Sequence, residues 1–243
     1  MKLEIKSVSK KYKNKEVLSD VNLVLESGVY GLVGPNGAGK TTLINIIATV
    51  LQATSGQILV ENQTIEDISV YRGKIGYLPQ SMDFYDNFTA VDFLKYMCLL
   101  KEYVCENVDE YAEELLKKVN LFEQRNNLIR TFSGGMKQRL GIAQAVIGKP
   151  ELLLLDEPTV GLDINERKSF KEMVKSLGKE SIVILSTHII SDVEETADKI
   201  IFMNKGKIVS IGSKEFYDKF VFENELDSLE DAFKVICGGD LNA

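Results

Sequence analysis

The sequence predicts an α/β fold with a mainly parallel central sheet, an N-terminal antiparallel β subdomain and an inserted helical subdomain. Three stretches carry that prediction. Gly34-Pro35-Asn36-Gly37-Ala38-Gly39-Lys40-Thr41-Thr42 is a glycine-rich loop. It lies between an apolar run, Val29 to Val33, and a segment whose apolar residues Leu43, Ile46, Ile47, Val50 and Leu51 share one helix face. Glu151-Leu152-Leu153-Leu154-Leu155-Asp156-Glu157-Pro158 sets four leucines before two acids, and continuous apolarity suits a central parallel strand covered on both faces. Lys2 to Val8 and Val21 to Glu26 alternate charged and apolar residues instead, as half-exposed antiparallel strands do.

The glycine-rich loop sets the chemistry. Between a strand and a helix, its glycines let backbone N–H groups turn toward an anion, and the helix N-terminus adds partial positive charge. Lys40 can then reach the β- and γ-phosphates of a nucleotide, and the Thr41 hydroxyl can ligate Mg²⁺. This predicts a nucleoside triphosphate site in a P-loop NTPase core. So short a pattern occurs by chance, and the flanking strand and helix are what give it weight.

With 243 residues, 44% of them hydrophobic, the chain can build a sizeable core. Its net charge of −7 offers no broad basic surface, which disfavours nucleic acid as the main partner. No apolar run approaches the roughly 20 residues that span a bilayer, and Met1-Lys2-Leu3-Glu4 does not open a signal peptide. The expectation is a cytoplasmic protein. Cys98, Cys105 and Cys237 form no Cys-x-x-Cys pair, and the first two stand seven apart in a helical pattern, so they read as reduced, buried thiols.

In chain order, Tyr12 falls in a Lys-rich turn, where an aromatic is usually a surface residue, though at a distance useful for stacking on a base. Gly56 to Val60 and Lys74 to Leu78 read as strands. Pro79 ends the second and presents Gln80, whose amide can meet a metal or orient a water but is more often a surface group. From Thr89 to about Val119 the period is helical, with Ala112, Leu115, Leu116 and Val119 on one face. Ser133 is placed as the cap of a helix with an apolar stripe at Met136, Leu140, Ala143 and Ile147. Gly134 and Gly135 leave that helix end uncovered as a second anion site.

Asp156 and Glu157 stand at the carboxyl end of the leucine strand, where ligands of parallel sheets bind. Asp156 can hold Mg²⁺ directly or through water, and Glu157 can polarise a water for in-line attack on the γ-phosphate. Gly161-Leu162-Asp163 starts a helix with Phe170, Met173, Val174 and Leu177 inward. Ser181 to Thr187 is another buried strand, and His188, the single histidine, stands at its end, where a neutral imidazole could meet the γ-phosphate or the water. Lys199 to Met203 and Lys207 to Ile211 read as a hairpin around Asn204-Lys205-Gly206, and two short amphipathic helices follow Ser213.

Taken together, these motifs resemble the ATP-binding subunits of ABC transporters. In the family's order they are the A-loop aromatic Tyr12, Walker A at Gly34 to Thr42 and the Q-loop at Gln80. The signature Ser133-Gly134-Gly135, Walker B at Leu152 to Asp156, the catalytic Glu157, the D-loop Asp163 and the switch His188 follow. The resemblance implies ATP and Mg²⁺ as cofactors and a head-to-tail dimer in which Ser133, Gly134 and Gly135 of one subunit cover the ATP held by the other. It also implies adenine stacking by Tyr12 and a Mg²⁺ and water contact by Gln80, which senses a transmembrane permease encoded separately. The chain would then be peripheral on the inner face of the cell membrane.

Departures from the family pattern are modest. Phe132 stands for the usual Leu, Met136 for the usual Gln, Gly161 for a frequent Ala and Ile164 for a Pro. The segment Ser228-Leu229-Glu230-Asp231-Ala232-Phe233 is similar to the tail of bacterial drug-, peptide- and sodium-export subunits of the ABC-2 type, which leans toward export. The expected organisation is one domain. Residues 1–85 and 148–212 form the nucleotide-binding core with its β subdomain, 86–147 the helical subdomain and 213–243 a C-terminal helical extension. A soluble ABC ATPase of DNA repair or translation would bring a coiled-coil or zinc insertion, a tandem domain or basic arms, and the sequence has none. A regulatory module that binds nucleotide without hydrolysing it fits poorly with Gln80, Glu157 and His188 together.

Overall fold

Four parallel strand ends meet along one edge of a sheet, and the computed structural model, which describes residues 1–13, 15–65 and 67–238, shows how the chain brings them there. It begins with β1 (Leu3–Tyr12), β2 (Lys15–Leu25) and β3 (Gly28–Val33), then α1 (Lys40–Ile47), β4 (Ser55–Val60), β5 (Gln63–Thr64), α2 (Ile68–Gly73) and β6 (Ile75–Leu78). Next come α3 (Ala90–Leu100), α4 (Val108–Lys118), α5 (Gly134–Ala145), β7 (Leu152–Asp156), α6 (Ile164–Gly178) and β8 (Ile182–Thr187). The last elements are α7 (Ile190–Glu194), β9 (Lys199–Asn204), β10 (Lys207–Ser213), α8 (Lys214–Glu223) and α9 (Leu229–Cys237).

The larger sheet has the order β10-β9-β3-β8-β7-β6, parallel throughout except for the β9–β10 hairpin. The smaller one, β2-β1-β4-β5, is antiparallel. The four leucines of β7 divide between two cores. Leu152 and Leu154 join the cluster that β1, β2 and α1 build, and Leu153 and Leu155 join the cluster beneath α5, α6 and α9. Ile182 and Ile184 of β8 split from Val183 and Leu185 in the same way. A strand with a core on each face has no room for polar alternation, and cutting back one of these leucines to Ala costs about 2–5 kcal/mol.

Several sequence expectations need correction. Helix α1 stops at Ile47, so Val50 and Leu51 do not extend its buried face: Val50 is exposed and Leu51 half-buried. Thr49 turns left-handed (φ 58°), and the N–H groups of Val50 and Leu51 both close on Asn45 O, at 2.9 and 3.1 Å, which satisfies the helix end. The helical stretch from Thr89 to Val119 is two helices, broken where Glu102 turns left-handed (φ 52°). Cys105 lies in that break, so it is not in helical register with Cys98. Cys98 is buried, whereas Cys105 and Cys237 are half-buried. On α6, Phe170 and Val174 are buried as expected, but Met173 and Leu177 are only half covered. The short helices α2 and α7 are further elements that the sequence pattern does not predict.

Among the described residues, no helix is long and apolar enough to cross a membrane.

Candidate functional site

Strand register places the site. Val33 pairs with Thr187, Asp156 with Ser186 and Leu78 with Leu155, so the loop after β3, the acids ending β7, His188 after β8 and Gln80 after β6 all emerge from one sheet edge. At that edge opens a cleft of about 320 Å³, whose lining includes neither the fully buried Asp156 nor His188. Asn36, Gly37, Gly39, Lys40, Thr41 and Thr42 line it from the loop, Val17 from β2, Gln80 from beyond β6 and Glu157 from beyond β7.

Two loop glycines are required by geometry. At Gly39, φ is 106°, and a Cβ there would also stand 2.8 Å from Leu18 and 2.9 Å from Met203. At Gly34 a Cβ would lie 2.2 Å from Met203 O, so the loop can lie against β9 only with glycine there. Pro35 and Ala38 complete the turn, with Ala38 N bonded to Pro35 O at 3.1 Å.

Lys40, buried with its ammonium inward, donates to Gly34 O at 2.6 Å and Pro35 O at 3.2 Å and stands 3.8 Å from Glu157 Oε1. Burial pushes this ammonium below its ordinary pKa, and the carboxylates of Glu157 and Asp156 oppose that shift. Glu157 is left-handed (φ 51°), a conformation that costs a non-glycine residue about 1–2 kcal/mol. The surroundings hold it there. Its N–H donates to Ser186 O and Oγ at 3.2 and 3.1 Å, and Gln138 Nε2 reaches Glu157 O at 3.4 Å and Pro158 O at 3.1 Å.

His188 Nδ1 lies 3.1 Å from both oxygens of Glu157. A carboxylate only accepts, so Nδ1 carries the proton, and in a neutral ring Nε2 is left as an acceptor. Such a ring can accept from a water beside Glu157. To donate to a phosphate oxygen through Nε2 it must be protonated.

Asp156 is fully buried. Its Oδ1 accepts a short hydrogen bond from Ser186 Oγ, and its Oδ2 has no hydrogen-bond partner among the described residues. An orphaned carboxylate oxygen behind a phosphate loop fits a hard cation such as Mg²⁺, which commonly takes one or two carboxylates and completes its shell with substrate phosphates and water. Thr41 and Gln80, which line the cleft, are the other groups that could hold such a cation. Among the described residues, no cluster of three acidic, His or Cys side chains offers a complete protein cage.

Four of the expected binding residues, Tyr12, Ser133, Gly134 and Gly135, lie outside this cleft, as does the D-loop residue Asp163. Ser133 caps α5, its Oγ accepting from Met136 N at 3.2 Å, and neither it nor Gly134 nor Gly135 lines this chain's own cleft. Tyr12 ends β1 with its ring exposed under Lys10 Nζ, 5.1 Å from the centroid, and does not line the cleft either. Asp163 caps α6 through a reciprocal capping box with Glu166. Sequence reasoning missed Val17, Gln138 and Ser186, and also Tyr77, whose hydroxyl donates to Asn45 Oδ1 at 2.7 Å and ties β6 to α1. None carries a motif; each is identified only by what the fold brings beside it.

Fold and site together define a P-loop ATPase of the ABC type. The ABC transporter family model matches residues 18–160, and the chain belongs to that family. It is 40% identical over 207 residues to an uncharacterized ABC transporter ATP-binding protein, YxlF, of Bacillus subtilis, a match covering 85% of this chain and 69% of YxlF. The linearmycin resistance ATP-binding protein LnrL of the same organism is 36% identical, across 87% of this chain and 69% of its own. The lantibiotic transport ATP-binding protein SrtF of Streptococcus pyogenes is 38% identical, across 85% and 89%. Among solved structures, the ATP-binding subunit of an ABC transporter superposes with a TM-score of 0.86 at 27% identity, covering 97% of this chain and 99% of that one. The cassette MJ0796, seen as a dimer in a post-hydrolysis state bound to ADP and Pi, superposes at 0.80 with 26% identity over 87% and 98%. This chain is accordingly an ABC ATP-binding protein and an ATPase, of a class of cassettes that form dimers.

Proposed function

We propose that this chain powers export through a membrane permease carried on a separate polypeptide, by closing with a second ATP-binding subunit, head to tail, over bound ATP. The direction draws support from relatives whose names state linearmycin resistance and lantibiotic transport. The observation that carries the mechanism is Glu157, fixed on left-handed backbone with His188 Nδ1 at 3.1 Å and Lys40 Nζ at 3.8 Å on the floor of the cleft.

The loop from Gly34 to Thr42 holds the triphosphate with its N–H groups, and Lys40 leaves the carbonyls of Gly34 and Pro35 for the β- and γ-phosphates. Tyr12 stacks on adenine. Thr41, Asp156 and Gln80 would hold Mg²⁺, which when bound would supply neutralisation of the triphosphate charge. Ser133, Gly134 and Gly135 of the second subunit bring a helix N-terminus to the γ-phosphate, an attraction that exists only while that phosphate is present. Glu157 takes a proton from the attacking water, His188 holds Glu157 and accepts from that water through Nε2, and Lys40 meets charge on the leaving oxygen. Loss of the γ-phosphate removes the contact that held the subunits together.

Closure needs somewhere to deliver its motion. The end of α3 and the length of α2 present Leu100, Ile68 and Val70 to solvent around a cleft of about 760 Å³, with Leu99 exposed next to Leu100 in the chain; the two helices flank Gln80 in sequence. Exposed apolar groups gathered in this way mark an interaction surface, and we assign it to the permease.

Glu157→Gln tests the reading. Turnover is expected to fall at least ~100-fold while ATP binding persists and an ATP-stabilised dimer accumulates. Near-normal ATPase activity in that variant would remove Glu157 from the role of base.

A further inference from the structure

We propose that Ser186 is a positioning residue that sets the metal affinity of the site, by holding Asp156 with one carboxylate oxygen tied and the other free. The inference rests on the reading of Asp156 as the metal-binding carboxylate.

Ser186 and Asp156 are register partners on neighbouring parallel strands, and both are fully buried. The serine hydroxyl has two neighbours of opposite kind. Asp156 Oδ1 can only accept, so the hydroxyl proton goes to it; the Glu157 N–H can only donate, so it meets the serine oxygen, at 3.1 Å. No other orientation satisfies both neighbours, and the O–H therefore points one way. That bond ties Oδ1 and leaves Oδ2 without a hydrogen-bond partner among the described residues. The same hydroxyl supports the backbone turn at Glu157, so the metal carboxylate and the water-directing carboxylate take their spacing from one side chain.

Without the hydroxyl, the buried Asp156 Oδ1 loses the only side-chain donor it has among the described residues, and Oδ2 is no longer singled out for the cation. The carboxylate can then turn either oxygen inward. Groups that orient a metal ligand in this way typically change metal affinity 10–100-fold when removed.

The test uses Mn²⁺ as a paramagnetic probe, titrated into the ATP-bound full chain and followed by electron paramagnetic resonance, with Glu157→Gln in every sample to stop turnover. Ser186→Ala is expected to weaken Mn²⁺ binding at least ~10-fold. Binding of ATP in excess chelator should stay within about 2-fold, since the loop and Lys40 do not depend on Ser186. That split separates a positioning role from general damage to the fold. Ser186→Cys keeps nearly the same volume with a weaker donor and is expected to lie between the two, and it carries the test if the alanine variant does not fold. Asp156→Asn is the control. If Asp156→Asn weakens Mn²⁺ binding while Ser186→Ala and Ser186→Cys bind it as the parent does, the assignment of Ser186 is overturned and that of Asp156 stands. If none of the three shifts, both fall.

Discussion

Lys40 and Glu157 face each other at 3.8 Å, both buried, with the ammonium also committed to two loop carbonyls. Before nucleotide arrives, the loop is therefore closed on its own lysine, and burial of that charge works against the fold. Lys40→Met is expected to weaken ATP binding at least ~100-fold and to cost the nucleotide-free protein stability at pH 7, since it leaves the buried Glu157 carboxylate without the ammonium that faces it. The sign with pH follows from the lowered pKa. At neutral pH the folded state carries the full penalty of a charged, buried Lys40. That penalty is relieved as pH rises through the lowered value toward the 10.5 of the unfolded chain, so wild type should gain on Lys40→Met over that window. Thermal melts of both proteins between pH 7 and 10 check it.

Gly134 and Gly135 differ in surroundings. A Cβ on Gly134 would meet nothing within 4 Å, whereas one on Gly135 would stand 2.6 Å from Gly161 O. Gly134→Ala should leave the melting temperature of the isolated chain within a few degrees but reduce ATP-driven dimer formation, because the added methyl intrudes only when a second subunit's phosphate is presented. Gly135→Ala should disturb both. Melting curves and sedimentation with ATP in the Glu157→Gln background separate the two.

Thr159 donates to Asp192 Oδ2 at 2.5 Å, and Arg167 approaches Asp192 Oδ1 at 3.5 Å, which ties the turn after Glu157 to the helix after His188. Thr159→Val strips a buried carboxylate oxygen of its donor at constant shape. The expected loss is about 1–3 kcal/mol, read by chemical denaturation.

If the permease sits over α2 and the end of α3, a charge placed there should break coupling without touching chemistry. Leu100→Asp is expected to keep the ATPase activity of the isolated chain within about 2-fold, as for most surface substitutions, and to abolish recovery of a membrane protein with it from detergent extract. Recovery at wild-type level would move the docking surface elsewhere.

How far the sequence could be read depended on whether a residue's meaning was local. The leucines of β7 announced a doubly covered strand because both their faces are apolar, and Ser133 was legible as a cap because a cap acts within three residues. Val50 and Leu51 misled, since their spacing continues the helix face while the backbone at Thr49 has already turned away. Helix α2 left no periodic trace because only Tyr71 of its six residues is buried. Ser186 was invisible for a different reason: its partner lies 30 residues away in the chain, and only the register of β7 on β8 joins them. Tyr12 and the glycines of α5 remain apart from this chain's cleft, so their roles depend on a bound base and a second subunit.

On the proposed mechanism, the site gripping the triphosphate is completed by another copy's serine-capped helix. Specific ATPase activity measured across a wide dilution series, with sedimentation on the same samples, tests it most directly. Activity per chain should fall steeply as the dimer dissociates and recover on reconcentration. Constant activity per chain in samples that sediment only as monomer would contradict it.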